Sequence, residues 1–133
     1  MKTLISSLVV LGISAGIGAT VLVADQSIAQ SSRIEEFIAR GTEPFWSLTV
    51  SKRGIVYSSP EIKQQTFPYA APLKADGRPT DVVRVYRFRG RENNMLILKK
   101  VSSCSDGMSD RNYPYSAILM LGNRVLEGCA EKK

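Results

Sequence analysis

Apolar residues in this chain recur mostly at every second position, in short stretches that turn residues separate. The clearest stretch follows Phe45, where Trp46, Leu48 and Val50 alternate with serine and threonine. Successive side chains of a strand point to opposite faces, so this alternation predicts a β-strand with one buried face. Related patterns predict further strands over residues 55–58, 61–67, 81–89 and 95–101.

The C-terminal stretch predicts a β-hairpin in which Ser116–Leu121 pairs with Arg124–Cys129 across Gly122-Asn123. Glycine followed by asparagine is a favoured two-residue connection between antiparallel strands. Residues 118–121 are apolar without a break, which places hydrophobic side chains on both faces of the first strand. Such a strand is either central in its sheet or covered on its second face by a helix.

Residues 81–89 alternate with one fault, because Val83 and Val85 share one face whereas Tyr86 and Phe88 share the other. A β-bulge near Val85-Tyr86 would bring all four apolar side chains inside and leave the three arginines of the stretch in solvent. Without a bulge, Arg84 points inward. Because an unpaired buried arginine is costly, we expect the bulge.

The segment before the first strand predicts a short helix over about residues 33–40. Ser32 and Glu35 have the spacing of a capping box, and Ile34, Phe37 and Ile38 fall on one helical stripe. With seven or eight short, locally connected strands, the pattern predicts one all-β domain over residues 30–133. We expect a small antiparallel barrel or sandwich, with the helix closing one end. The proline-rich stretch 66–80 is either a functional loop or a poorly ordered surface segment.

The first 29 residues have the pattern of an export signal. Lys2 precedes an apolar stretch from Leu4 to Val23, and Ser27-Ile28-Ala29 has the small residues of a cleavage site. Residues 1–29 are therefore predicted to be a signal peptide, which places the mature chain in the periplasm or outside the cell. The alternative is an uncleaved anchor in the inner membrane, because the apolar stretch is long enough to span a bilayer.

The chain has two cysteines, Cys104 and Cys129. In an exported protein they are predicted to form a disulfide. It would close a loop over residues 105–128 and contribute about 3.5 kcal/mol if its effect is to restrict the unfolded chain. The alternative is a pair of buried free thiols.

The chain carries 18 lysines and arginines against 12 acidic residues, a net charge of +6. Such a surplus favours anionic partners such as envelope polysaccharides or lipid headgroups, and export makes nucleic acid an unsuitable partner. The candidate binding residues are four clustered arginines, Arg84, Arg87, Arg89 and Arg91. The alternative is a basic surface without a dedicated partner, on a protein predicted to be a monomer.

The composition argues against an enzyme. The absence of histidine from the chain excludes Ser-His and Cys-His nucleophile systems and the usual zinc sites. Asp106 and Asp110 could ligate calcium, but such residues more often accept backbone N–H groups in turns. Glu43 could form an acid pair with Asp106. We predict no catalytic residue, no metal and no other cofactor.

Two sets of residues near the ends of the mature chain form motifs. They are Gly41-Thr42-Glu43-Pro44-Phe45-Trp46 and, further on, Cys104, Asp106, Met108, Ser109, Tyr113-Pro114-Tyr115 and Gly128-Cys129. Together they resemble an uncharacterised family of small bacterial envelope proteins, described as predicted membrane proteins or lipoproteins. We interpret Glu43, Pro44 and Trp46 as a structural motif. Unlike the lipoprotein members, the chain has no N-terminal cysteine to accept a lipid. Its expected architecture is also similar to the membrane-bound inhibitors of C-type lysozyme and the META-domain heat-shock proteins.

These features predict a non-enzymatic binding module of the cell envelope. The arginine cluster favours an anionic envelope component, and Asp106, Asp110 and Tyr113 are further candidate contacts. The alternative is an inhibitor of a cell-wall hydrolase. In that case the loop Cys104–Tyr115, made rigid by the disulfide and Pro114, would enter the cleft of the enzyme.

Overall fold

The computed structural model describes Arg33–Lys133 and, before them, only Gly12, Gly16 and Gly18. Apart from these three glycines, the predicted signal peptide lies outside the described residues, as does the predicted cap at Ser32. Arg33–Lys133 forms nine strands: β1 (Phe37–Thr42), β2 (Phe45–Ser51), β3 (Gly54–Ser58), β4 (Gln65–Phe67), β5 (Leu73–Lys74), β6 (Val83–Arg89), β7 (Asn93–Ser105), β8 (Asn112–Leu121) and β9 (Arg124–Lys132). The all-β prediction is confirmed, although its strand count is one or two too low.

The nine strands form one antiparallel sheet in the order β4-β3-β2-β1-β9-β8-β7-β6-β5. Neighbours in the sheet are also neighbours in sequence except for β1 and β9, which join the two halves. The sheet curls into a half-barrel and does not divide into the two layers of a sandwich. The curl brings Phe67 of β4 against Phe88 of β6, with 4.9 Å between ring centroids. Strands of both halves therefore share one core.

The helix predicted over residues 33–40 is wrong. Residues 33–36 have no regular secondary structure, and the chain enters β1 at Phe37. Phe37 and Ala39 point into the core, so the true period of this segment is two. β1 pairs with β2 on one side and with β9 on the other. Strand pairing on both sides satisfies the backbone of a segment that is too short to form a stable helix alone.

The bulge predicted near Val85-Tyr86 is also wrong. β6 pairs with β7 in unbroken register along its whole length. Arg84, Tyr86 and Phe88 therefore face inward, and the valines face outward with the remaining two arginines of the strand. Because the bulge is absent from β6, the expectation that Arg84 lies in solvent is also wrong.

Trp46 accounts for two glycines of the motifs. Its side chain is buried, as the alternating pattern predicted, and lies against Gly41 of β1 and Gly128 of β9. A side chain at Gly41 would collide with the indole ring, and one at Gly128 would collide with the backbone of Arg40 and crowd the same ring. The indole Nε1 donates a hydrogen bond to the Glu127 carbonyl at 3.3 Å. The glycines therefore leave the space in which Trp46 packs.

The predicted C-terminal hairpin is confirmed. Leu121 pairs with the first residue of β9 across Gly122-Asn123, and Gly122 has a φ of 58°, which glycine adopts without strain. β8 is central in the sheet, between β7 and β9. Central placement explains Leu119, which faces the core, but not Ile118, which is 41% exposed on the opposite face.

Candidate functional site

Arg84 is a buried structural residue, 3% exposed. Its guanidinium donates to the Glu35 carboxylate, 2.7 Å from Nε and 2.6 Å from Nη2, and pairs with Asp81 at 3.0 Å. It also stacks over the rings of Phe37 and Tyr115. The structure therefore removes Arg84 from the candidate binding residues, because both its charge and its faces are already occupied.

Further cations complete what we call the charge cluster, which comprises Arg84, Glu35, Asp81, Lys100 and Lys132. Lys100 Nζ lies 2.7 Å from Asp81, and Lys132 Nζ lies 3.0 Å from Glu35. The hydroxyl of Tyr115 donates to Asp81 at 2.6 Å. The cluster ties the segment before β1 and the loop before β6 to β6, β7 and β9, so its role is to fasten the fold.

The pKa values in the charge cluster follow from this pairing. Hydrogen bonds from Lys100 and then Tyr115 hold the pKa of Asp81 well below its ordinary value of 3.8. Burial raises the pKa of Glu35, but hydrogen bonds from Lys132 and Arg84 outweigh that effect and lower it below 4.5. Burial lowers the pKa of Arg84, and its bonds to Asp81 and Glu35 outweigh burial and raise it. The cluster therefore stabilises all of these groups in their charged forms.

The outward side of the same strands has different chemistry. Arg87 and Arg89 are exposed on β6, and Lys99 is exposed on β7. None of these three cations has an ion-pair partner within residues 33–133. Arg91 is also exposed, but it lies in the turn after β6 and borders a separate cleft with Arg124. The four predicted arginines therefore do not form one surface.

Beside these cations lies a contiguous band of outward-facing apolar side chains, which we call the apolar stripe. Its members are Val85, Ile97 and Ile118 in one row and Met95, Met120 and Val125 in the next. Residues paired directly across strands point to the same face, so each row is continuous. Val125 is 65% exposed, and Leu73 of β5, which pairs with Val85, is 48% exposed.

Lys99 and Arg89 flank the apolar stripe along the strand direction, and Arg87 adjoins its second row on β6. Lys99 lies two residues beyond Ile97 on β7, whereas Arg87 is paired with Met95 and Arg89 lies further on. At a rise of about 3.3 Å per residue, the row of Lys99 and the row of Arg89 are about 20 Å apart. We call the stripe and its three flanking cations the outer patch.

A groove marks the place where the two chemistries of the outer patch meet. It has a volume of about 540 Å³, and Arg87, Arg89, Met95 and Met120 are among the residues that line it. Of the described residues in the rows of the outer patch, Glu127, opposite Ile118, is the one carboxylate. The outer patch is therefore amphipathic and carries a net positive charge.

A second part of the outer face is covered by the loop between β7 and β8. The predicted disulfide is confirmed and joins Cys104, at the end of β7, to Cys129 of β9. From β1, the Thr42 hydroxyl donates to the Asp106 carbonyl at 2.9 Å. A covalent bond and a hydrogen bond between distant segments thus fix the base of this loop.

Asp106 organises the loop internally. Its carboxylate accepts hydrogen bonds from the backbone N–H groups of Ser109, at 2.8 Å, and Met108, at 2.9 Å, and these bonds lower its pKa. The interpretation of Asp106 as an acceptor in a turn is confirmed. Asp110 is exposed on the same loop. Met108 is 65% exposed, so the turn presents an apolar side chain to solvent.

Two clefts border this loop. One, of about 360 Å³, is lined by Tyr113 and Asp106 together with residues of β1, β2 and the segment after β3. The other, of about 220 Å³, is lined by Glu43, Asp106 and Glu127 among others. The structure thus brings Glu43 and Asp106 to one cleft. Across residues 33–133, no three acidic or cysteine side chains are grouped in a way that could hold a metal ion.

Local sequence pattern predicted neither the charge cluster nor the apolar stripe. Glu35 and Arg84 are 49 residues apart, and no local pattern relates them. The stripe did leave a signal, because residues 118–121 are apolar on both faces of β8. That pattern also fits central placement or a covering helix, but the segment predicted to form the helix is β1.

The Cys104–Cys129 disulfide indicates an oxidising, extracytoplasmic location. In the part of the chain that the structure describes, no helix has the length and hydropathy needed to cross a membrane. No protein-family profile, no curated protein sequence and no solved structure matches this chain. The resemblance to the envelope family therefore stays a prediction.

Proposed function

We propose that this protein is a non-enzymatic binding module of the cell envelope that holds anionic envelope material against its outer patch. The observation that supports this best is the group Arg87, Arg89 and Lys99, exposed on one face without ion-pair partners among residues 33–133. The extracytoplasmic location that the disulfide indicates agrees with a role in the envelope. The predicted export signal supports the periplasm or cell exterior, with inner-membrane attachment as the alternative.

The outer patch is proposed as the binding surface because its cations differ in their ion pairing from those of the charge cluster. Arg84, Lys100 and Lys132 neutralise nearby carboxylates, so they add little to the potential outside the protein. Arg87 and Arg89 face solvent without such partners in the described chain, and adjacent exposed cations raise the local potential and attract anions. This attraction acts across water and weakens as salt screens it.

Binding to a polyanion that carries no lipid tests the proposal. The purified protein should be retained on immobilised dextran sulfate at low ionic strength and released as salt rises. The double variant Arg87→Glu/Arg89→Glu should lose this retention, because it reverses both charges at one end of the outer patch. The control Lys52→Glu/Arg53→Glu makes the same change on the exposed turn between β2 and β3 and should be retained nearly as well as the parent protein.

Retention that survives the Arg87→Glu/Arg89→Glu reversal would exclude the outer patch as the site. Retention that does not change between roughly 0.01 and 0.5 M salt would exclude electrostatic attraction as its cause. Equal losses in the test and control variants would show that net charge alone decides binding, which would also contradict a defined site.

A specific observation favours inhibition of a cell-wall hydrolase as the second candidate function. The loop after Cys104 is fixed by the disulfide, by Thr42 and by the internal hydrogen bonds of Asp106. Met108 projects from it with 65% of its surface exposed. A loop ordered before binding loses little conformational entropy when it enters a cleft.

Inhibition is tested with a C-type lysozyme and a bacterial cell-wall suspension. If the loop is an inhibitory element, the protein should slow lysis, and Met108→Asp should weaken this effect by at least about tenfold, since it places a charge in an apolar contact. The variant Arg87→Glu/Arg89→Glu should inhibit as the parent does. Undiminished lysis at high protein concentration would exclude this candidate for lysozymes of this class.

A further inference from the structure

We infer that the outer patch docks on the surface of an anionic phospholipid bilayer, with the apolar stripe entering the boundary between headgroups and acyl chains. This inference rests on the proposed function and names the partner of the same site. It assigns a role to six outward-facing apolar side chains that anion binding alone does not require. The expected attachment is peripheral and reversible.

The apolar stripe is unusual for its position. An antiparallel sheet that packs one face on a core ordinarily presents polar side chains on the other. Here Ile118 and Val125 are 41% and 65% exposed, and four further apolar residues join them in two continuous rows. The described strands belong to a single sheet, so no second sheet formed by them packs on these rows. Contiguous apolar surface of this kind is typical of docking sites.

The flanking charges favour a phospholipid bilayer as the occupant. Lys99 lies at one end of the apolar stripe, Arg89 lies at the other, and Arg87 adjoins the second row on β6. Binding at the membrane interface grows stronger with buried apolar area and with electrostatic attraction to anionic lipids, and the outer patch offers both. Phosphate groups would meet the cations while the acyl boundary accepts Ile118 and Val125. A soluble anionic polysaccharide offers charge but no apolar layer, so it would leave the stripe in water.

A second copy of the chain is a less suitable occupant. Among the described residues, the rows of the outer patch contain one carboxylate, Glu127, and three cations that form no ion pair within residues 33–133. Two such patches placed face to face would therefore both be positive, whatever the orientation of the two-fold axis. Like charges brought together in this way oppose association. An anionic bilayer presents the opposite sign and is complementary to the outer patch.

Vesicle co-sedimentation tests the inference. The protein should sediment with vesicles of phosphatidylcholine and phosphatidylglycerol and remain free with vesicles of phosphatidylcholine alone. Each cation near an anionic bilayer strengthens binding about fivefold, so Arg87→Gln/Arg89→Gln should weaken it about 30-fold. All variants share one N-terminus, so differences between them report on the outer patch and not on the first 29 residues.

Ile118→Thr separates docking on lipid from anion binding. Threonine keeps the β-branched shape that strands favour but removes the apolar end of the side chain, so vesicle binding should weaken by about tenfold. Retention on dextran sulfate should not change. The control is Ile62→Thr, because Ile62 has the same exposure, 41%, and lies outside the outer patch. That variant should bind vesicles and dextran sulfate as the parent protein does.

The outcomes distinguish this inference from the proposed function. If Ile118→Thr binds vesicles as well as Ile62→Thr does, the apolar stripe does not enter lipid and the inference is wrong, although anion binding can stand. If Arg87→Gln/Arg89→Gln leaves retention on dextran sulfate intact, the proposed function fails as well. A concentration-dependent dimer in analytical ultracentrifugation that Ile118→Thr abolishes would assign the stripe to a second copy and overturn the inference.

Discussion

Two arginines three residues apart on β6 have opposite fates. Arg84 faces the core, 3% exposed, with Glu35 and Asp81 as ion-pair partners. Arg87 faces solvent beside the apolar stripe and has no such partner in the described chain. The difference shows that strand parity, and not proximity in sequence, decides whether a charge serves stability or recognition. A cluster of like residues along a strand divides between two faces.

The same contrast holds for the sheet as a whole. Its inner face buries large side chains such as Trp46 and is fastened at one end by the charge cluster. Its outer face is partly covered by the disulfide-anchored loop and carries the outer patch elsewhere. Substitutions on the inner face should therefore change the free energy of unfolding. Substitutions on the outer patch should change binding and leave unfolding nearly as it is.

The largest expected effect on the inner face is that of Trp46→Ala. It should lower the free energy of unfolding by about 3–5 kcal/mol, because it leaves a cavity over Gly41 and Gly128. Urea unfolding followed by circular dichroism measures this change. A variant that keeps its unfolding midpoint but loses dextran sulfate binding would place Trp46 in a site and contradict its assignment to the core.

The outer face should contribute most to stability where the loop is anchored. Replacing both cysteines, Cys104→Ala and Cys129→Ala, removes a cross-link between residues 25 apart in sequence. Restriction of the unfolded chain by a loop of this length is worth about 3.5 kcal/mol. Thermal unfolding of the double variant and of the reduced parent protein should agree. An unchanged melting temperature on reduction would show that the outer loop adds nothing to stability.

The third prediction tests the comparison on β6 directly. Arg84→Met should lower the free energy of unfolding by about 2–3 kcal/mol, since it removes several charge-assisted hydrogen bonds while keeping an apolar stem against Phe37. Arg87→Met makes the same change on the opposite face and should alter it by under about 0.5 kcal/mol. Urea unfolding of the two variants side by side provides the measurement. If both variants lost the same free energy of unfolding, the two faces of β6 would not differ in their contribution to stability.

Much of the architecture follows from local pattern. Alternation identified β2, and Gly122-Asn123 located the turn of the last hairpin. The helix failed because Ile34, Phe37 and Ile38 also fit a helical spacing over a segment too short to distinguish the two periods. The deciding fact is the pairing of β1 with β9, a contact with the far end of the chain that local pattern does not contain.

The candidate site was only partly predictable for a related reason. The bulge on β6 was expected because burying Arg84 without a partner is costly. Glu35, from outside the strand, and Asp81 supply partners that remove this cost, so the strand keeps its regular pairing. The apolar residues of the outer patch come from β6, β7, β8 and β9 and become a surface only in the register of the sheet.

The smallest effect we predict is the loss of stability at acid pH. The pKa values of Asp81 and Glu35 lie below their ordinary values of 3.8 and 4.5 in the folded protein. Groups with a lowered folded pKa contribute their full stabilisation above the pKa of the unfolded chain, and they lose it as pH falls through the folded value. The free energy of unfolding should therefore be steady near neutral pH and decline below about pH 4.5.

The charge cluster and the outer loop contribute to this decline separately, because Asp106 also has a lowered pKa. Urea midpoints measured across the acid range should show a shallower decline for Arg84→Met, since the carboxylates of Asp81 and Glu35 have then lost a cation that favours their charged forms. Arg87→Met, on the opposite face, should keep the decline of the parent protein. Asp106→Asn should remove only the part of the acid decline that comes from the outer loop. If Arg84→Met and Arg87→Met decline alike, the inner cluster is not what couples the fold to pH, and the contrast between the two faces of β6 would concern packing alone.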